Sequence, residues 1–108
     1  MTAERTRIKI CGIREEAHAR VAYESGADAI GFVFHRPSPR YIDPREAGKI
    51  IATLPPFVTA VGLFVNEPGA SLDEILTHAP VGMLQFQGDE PPEFCVRFGR
   101  PYVRAVRM

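Results

Sequence analysis

The sequence predicts an α/β fold whose strands run parallel and are joined by helical crossovers. Short apolar runs alternate with helix-like stretches along the whole chain. The alternation repeats about every 25 residues, room for one strand and one crossover helix. The run from Ala29 to Phe34 is almost continuously apolar, as a strand covered on both faces should be. The 108 residues are too few for two domains, so 1–108 is read as part of one.

The elements follow in order. Ile8 to Cys11 reads as a first strand. Glu15 to Ser25 reads as a helix, with Ala17, Val21 and Ala22 on one face and Gly26 as the stop just beyond it. Ala29 to Phe34 is the second strand, and the loop from His35 to Tyr41 carries Pro37 and Pro39. Asp43 can cap a second helix, Pro44 suits its first position, and Glu46 can close a capping box. Ala47, Ile50, Ile51 and Leu54 give that helix an apolar stripe, and Pro55-Pro56 ends it. The third strand lies within Phe57 to Val65. Ser71-Leu72-Asp73-Glu74 reads as a capping box opening a third helix that runs to about Thr77. Gly82 to Phe86 is the fourth strand, Pro91 to Phe98 a short fourth helix, and Pro101 to Val106 the fifth strand.

Composition narrows the function. Thirteen basic and thirteen acidic residues leave no net charge, which argues against nucleic acid or an acidic membrane as a partner held by bulk charge. No apolar run approaches the roughly 20 residues of a membrane span, and Met1 to Arg5 carries no signal-peptide apolar stretch. Cys11 and Cys95 are far apart and form no metal-ligand pair, so the expected compartment is the reducing cytoplasm. Cys95 beside Phe94 and Phe98 reads as packing, as do Phe32 and Phe34 on one strand face. His18, His35 and His78 read as surface or structural histidines, and Asp89-Glu90 before Pro91 as a helix-start signal.

Strand and helix order alone leaves two architectures: an open doubly wound sheet, or part of a closed (βα)8 barrel. Particular residues choose. They are Lys9-Ile10-Cys11-Gly12-Ile13, then Gly26 through Phe34, Ser38-Pro39-Arg40, Leu54-Pro55-Pro56, Val61 through Asn66, and Gln85 through Glu90. In this order and spacing the chain resembles the phosphoribosylanthranilate isomerases of tryptophan biosynthesis. The resemblance implies a (βα)8 TIM barrel, of which the chain holds the first five strands and four helices, a half barrel. It implies an Amadori rearrangement of a sugar-phosphate substrate, with no metal and no cofactor. It matches Cys11 to the general base and Arg40 to the group that holds the anthranilate carboxylate. It sets Gln85 and Gln87 on the substrate side.

The residues give modest independent support. A base must stand near the end of a barrel strand, and Cys11 closes the first one. A thiol needs a nearby cation to favour the thiolate, and whether Arg7 or Lys9 reaches Cys11 stays open. Arginine suits a planar carboxylate through two parallel hydrogen bonds.

The chain also departs from the family. The general acid, an aspartate after strand six, and the phosphate-gripping loops after strands seven and eight have no counterpart in these 108 residues. Gln87 stands where the family usually has His, so that position can hydrogen-bond but not titrate. Arg14 stands where Thr is usual, which removes a capping side chain. The expectation is the amino-terminal half of a longer enzyme, negligibly active alone and self-associating through unpaired barrel edges as a homo-oligomer. The alternative is a non-catalytic half-barrel module that pairs with itself or with a complementary half. A small open-sheet binding protein is disfavoured, because no glycine-rich phosphate loop opens any helix.

Overall fold

The computed structural model describes residues 7–105. Five strands form one sheet: β1 (Lys9–Cys11), β2 (Ala29–Val33), β3 (Thr59–Phe64), β4 (Met83–Phe86) and β5 (Tyr102–Arg104). They lie in the order 1-2-3-4-5, each parallel to the next. This order settles the choice that pattern left open. A doubly wound sheet reverses at a switch point and carries helices on both faces. Crossovers that all step one way set their helices on one face.

Burial follows that division. Ile30, Phe32, Phe34, Phe64, Leu84 and Phe86 alternate along their strands and are fully buried on the helical side. Their rings form a continuous seam, with Phe34 5.5 Å from Phe64 and Phe64 6.2 Å from Phe86. The other face carries Lys9, Ala29, Thr59, Val61, Met83, Gln85 and Val103 around an open hollow. Lys9 on β1 donates from Nζ to Oε1 of Gln85 on β4. The hollow that residues from all five strands line makes the helix-free face concave.

Four helices cross between the strands: α1 (Glu16–Glu24), α2 (Pro44–Ile51), α3 (Gly69–His78) and α4 (Pro92–Cys95), the last followed by a 3₁₀ turn, Val96–Phe98. Several start and stop as their sequences indicate. Asp43 caps α2 by accepting from the Arg45 N–H at 2.8 Å, with Pro44 in the first turn. Gly26, at φ 104°, ends α1, and its N–H donates to the Tyr23 carbonyl at 3.1 Å. Phe32, Phe34 and Cys95 are core residues, as read.

Other readings are corrected. The buried face of α1 is Ala19, with Ala22 partly covered, whereas Ala17 and Val21 are exposed. A small side chain lets the helix lie close to the sheet. Val21 instead borders an apolar groove with Ile8, Ile10 and Ile13 beside the edge strand. The first residue before α1 is Glu15, not Arg14, and no side chain caps it. Glu46 does not close a capping box but pairs with Lys49 at 3.1 Å. Ser71 does not cap α3. That helix starts earlier, after Pro68, and the Ser71 hydroxyl donates to the Glu67 carboxylate. The predicted fourth helix tightens to a 3₁₀ turn after Cys95, ended by Gly99 in the left-handed region. Val106, the expected end of the fifth strand, lies outside the described residues. No helix among the described residues is long and apolar enough to cross a membrane.

Candidate active site

Cys11, Arg40 and Gln87 lie at or just beyond the carboxyl ends of the strands. Cys11 ends β1 on the concave face, paired in register with Gly31 of β2. The missing side chain at Gly31 makes room for the thiol, since a Cβ there would lie 2.9 Å from Cys11 Sγ. After Cys11 the backbone turns sharply through Gly12, at φ 87°. The N–H groups of Gly12 and Ile13 both donate to the Gly31 carbonyl, at 3.0 and 3.1 Å, which locks the turn to β2.

Arg40 reaches this turn from the next loop. Successive bonds fold that loop: Ser38 N–H to the His35 carbonyl at 3.0 Å, Tyr41 N–H to the Ser38 carbonyl at 3.1 Å, and Arg40 N–H to Ser38 Oγ at 3.1 Å. The Arg40 side chain then lies across Gly12, where a Cβ would be 2.6 Å from its Cδ. Its Nη1 is 3.4 Å from the Cys11 carbonyl oxygen, a long hydrogen bond. Gly12 therefore serves twice, as the only residue type at ease at this φ and as the bare surface on which the guanidinium rests.

The two glutamines separate. Gln85 lies in the concave hollow, bonded to Lys9. Lys9 shares the face of Cys11, two residues on, but its ammonium is engaged by Gln85. Gln87 is at the rim with its side chain exposed, and its backbone N–H donates to the Phe64 carbonyl at 2.9 Å. The structure thus joins Cys11 to Arg40 and Lys9 to Gln85, and leaves the Gln87 side chain outside both contacts. Among the described residues, no three His, Cys, Asp or Glu side chains gather to hold a metal ion.

Sequence reasoning missed Lys9 as a partner of Gln85 and misread Glu90. The Glu90 carboxylate does not start α4, whose first capping residue is Pro91 without a side-chain bond. It turns inward and is buried. Adjacent acidic residues before a proline look alike in either role, so no local signal distinguished them.

A parallel sheet in sequential order, with helices on one face and a thiol, a guanidinium and amides at its carboxyl ends, is a half of a (βα)8 barrel. Its polar groups lie on the face where such barrels carry active sites. The family model described as "N-(5'phosphoribosyl)anthranilate (PRA) isomerase" matches residues 8–107. The chain belongs to this family. An N-(5'-phosphoribosyl)anthranilate isomerase of Hahella chejuensis is 55% identical over 108 residues, covering 98% of this chain and 51% of its own. That of Acidithiobacillus ferrooxidans is 54% identical over 102 residues, covering 94% and 50%. The crystal structure of phosphoribosyl anthranilate isomerase from Thermotoga maritima superposes with a TM-score of 0.89 at 41% identity, over 94% of this chain and 51% of that one. Another, also at 0.89 and 41% over 94% and 54%, holds reduced 1-(o-carboxyphenylamino)-1-deoxyribulose 5-phosphate. The chain spans about half the length of the relatives it matches.

Proposed function

We propose that the intact protein isomerises N-(5'-phosphoribosyl)anthranilate to 1-(o-carboxyphenylamino)-1-deoxyribulose 5-phosphate, a step of tryptophan biosynthesis. The observation that carries this reading is the Arg40 guanidinium lying over Gly12, within 3.4 Å of the Cys11 carbonyl. A carboxylate grip and a base would then share one rim. In this reading Arg40 takes the anthranilate carboxylate in two parallel hydrogen bonds. The Cys11 thiolate removes the proton from the sugar carbon next to the imine, and the electron pair moves toward nitrogen, giving the enamine that becomes the ketone. Proton loss and gain balance, so no oxidant or reductant enters. Gln85 and Gln87 hydrogen-bond the substrate.

A second proton-transfer group must open the ribose ring, and the 108 residues supply Cys11 alone of the pair. The chain by itself is therefore expected to turn over negligibly. The test is titration of the chain with reduced 1-(o-carboxyphenylamino)-1-deoxyribulose 5-phosphate, followed by the anthranilate fluorescence. Weak binding that Arg40→Ala abolishes supports the reading. Binding indifferent to Arg40→Ala, or no binding beside a defined dimer, favours instead a half-barrel module that pairs with a second copy. Turnover by the chain alone, lost in Cys11→Ala, would overturn its expected inactivity.

A further inference from the structure

Glu90 is the one buried charged side chain among the described residues, 7% exposed. Its carboxylate bridges two loops. Oε2 accepts the backbone N–H of Asn66 at 2.7 Å, and Oε1 accepts that of Gly88 at 2.8 Å. Burying such a group is costly unless its oxygens are bonded, and both are. Asn66 completes a ring. Its Oδ1 accepts the Asp89 N–H at 2.8 Å, and its backbone sits at φ 51°, in the left-handed region. Gly88 packs so closely on Asn66 that a Cβ would lie 2.5 Å from Oδ1. The ring ties the loop after β3 to the loop after β4, both at the carboxyl ends of the strands.

Gln87 stands inside this ring. Its own N–H is held by the Phe64 carbonyl at 2.9 Å. The next N–H, on Gly88, is held by Glu90. Peptide units are planar, so pinning the unit on each side of Gln87 leaves little freedom in its φ and ψ. The direction of its Cα–Cβ bond is then set by Glu90 rather than by any contact of its own side chain.

We propose that Glu90 is a positioning residue that, through Gly88 and Asn66, holds the backbone of Gln87 so that its side chain leaves the strand end toward the substrate. This rests on the reading of Gln87 as a substrate contact. Removing one acceptor with Glu90→Gln keeps the volume and releases one of the two N–H groups. Two readouts on the 108-residue chain test it. In the first, hydrogen exchange of the Gly88 backbone amide, followed by NMR, should be slow in the unaltered chain and faster in Glu90→Gln. Equal exchange in both overturns the proposal.

In the second, the chain is titrated with reduced 1-(o-carboxyphenylamino)-1-deoxyribulose 5-phosphate. Affinity should fall about tenfold in Glu90→Gln, the cost of ordering the freed backbone of Gln87 again on binding. In a Gln87→Ala background the same change should have no further effect, a dependence that a merely structural role would not produce. Binding that ignores Glu90→Gln, or losses that add in the double variant, overturn the proposal alone. No binding by the unaltered chain overturns the substrate reading of Gln87 and the role assigned to Glu90 together. If Glu90→Gln fails to fold, Glu90→Asp carries the same tests. It keeps the charge but is one methylene too short to hold both N–H groups.

Discussion

Cys11 and Cys95 carry the same thiol in opposite surroundings. Cys11 is half-buried at the end of β1, beside the bare backbone of Gly31. Cys95 has no exposed surface. Burial pushes its thiol above the ordinary value of 9.0, Arg104 pulls the other way, and Glu90 adds to the rise. The folded chain therefore holds that proton to higher pH than the unfolded chain does. The stability linked to it is complete below the ordinary thiol value and is lost as pH rises through the higher folded value. Iodoacetamide at pH 8 should modify Cys11 at least about tenfold faster than Cys95, because the thiolate must be both formed and reached. Peptide mass after timed quenching measures the ratio, and equal rates would contradict the packing described. Part of the fall in urea midpoint between pH 8 and 10 should also vanish in Cys95→Ala.

At the scale of elements, the crossing of α2 and α3 depends on one glycine. A Cβ at Gly48 would lie 2.1 Å from the carbonyl oxygen of His78, at the end of α3. That oxygen belongs to backbone and cannot swing aside as a side chain would. Alanine improves intrinsic helix propensity by about 1 kcal/mol over glycine. Overpacking against backbone costs roughly 1–3 kcal/mol or more. The clash should win, so Gly48→Ala is expected to destabilise the chain by about 2 kcal/mol in urea unfolding. A gain in stability would show that α2 and α3 can part without cost. Such a contact is invisible in sequence, where Gly48 only looks like a weak point in a helix. The cap by Asp43 was legible because donor and acceptor are two residues apart. The start of α3 was misread because Ser71-x-x-Glu74 fits a capping box. Pro68 opens the helix first, and the Ser71 hydroxyl bonds to Glu67.

At the scale of the whole 108-residue chain, the open sheet is the dominant physical fact. Among the described residues β1 and β5 each pair with one neighbour, so each offers an edge of free backbone groups. Beside β1, Ile8 is 46% exposed, Ile10 40% and Val21 64%, and they line one apolar groove with Ile13. Exposed edges and apolar surface of this kind drive pairing with other chains. The 108-residue chain should sediment as an oligomer at tens of micromolar or less. Ile10→Lys with Val21→Lys should shift it toward monomer, because both charges would be buried in any such contact. A compact monomer of the unaltered chain would count against this view.

The sequence by itself determined the strands, the crossovers and the family. Strands and helices are written in local periodicity and caps, and motifs such as Lys9-Ile10-Cys11-Gly12 survive reading without coordinates. It also pointed to Cys11 and Arg40 as residues to watch. What only tertiary structure decided are the meetings of residues distant along the chain. The order 1-2-3-4-5 excluded a doubly wound sheet, because strand order is a matter of long-range pairing. The laying of Arg40 over Gly12 depends on a loop folded from a different strand. The inward turn of Glu90 onto Asn66 joins residues 24 apart. Local propensity carries no record of such contacts, since they form only when the sheet curves and brings the loops at its carboxyl ends together.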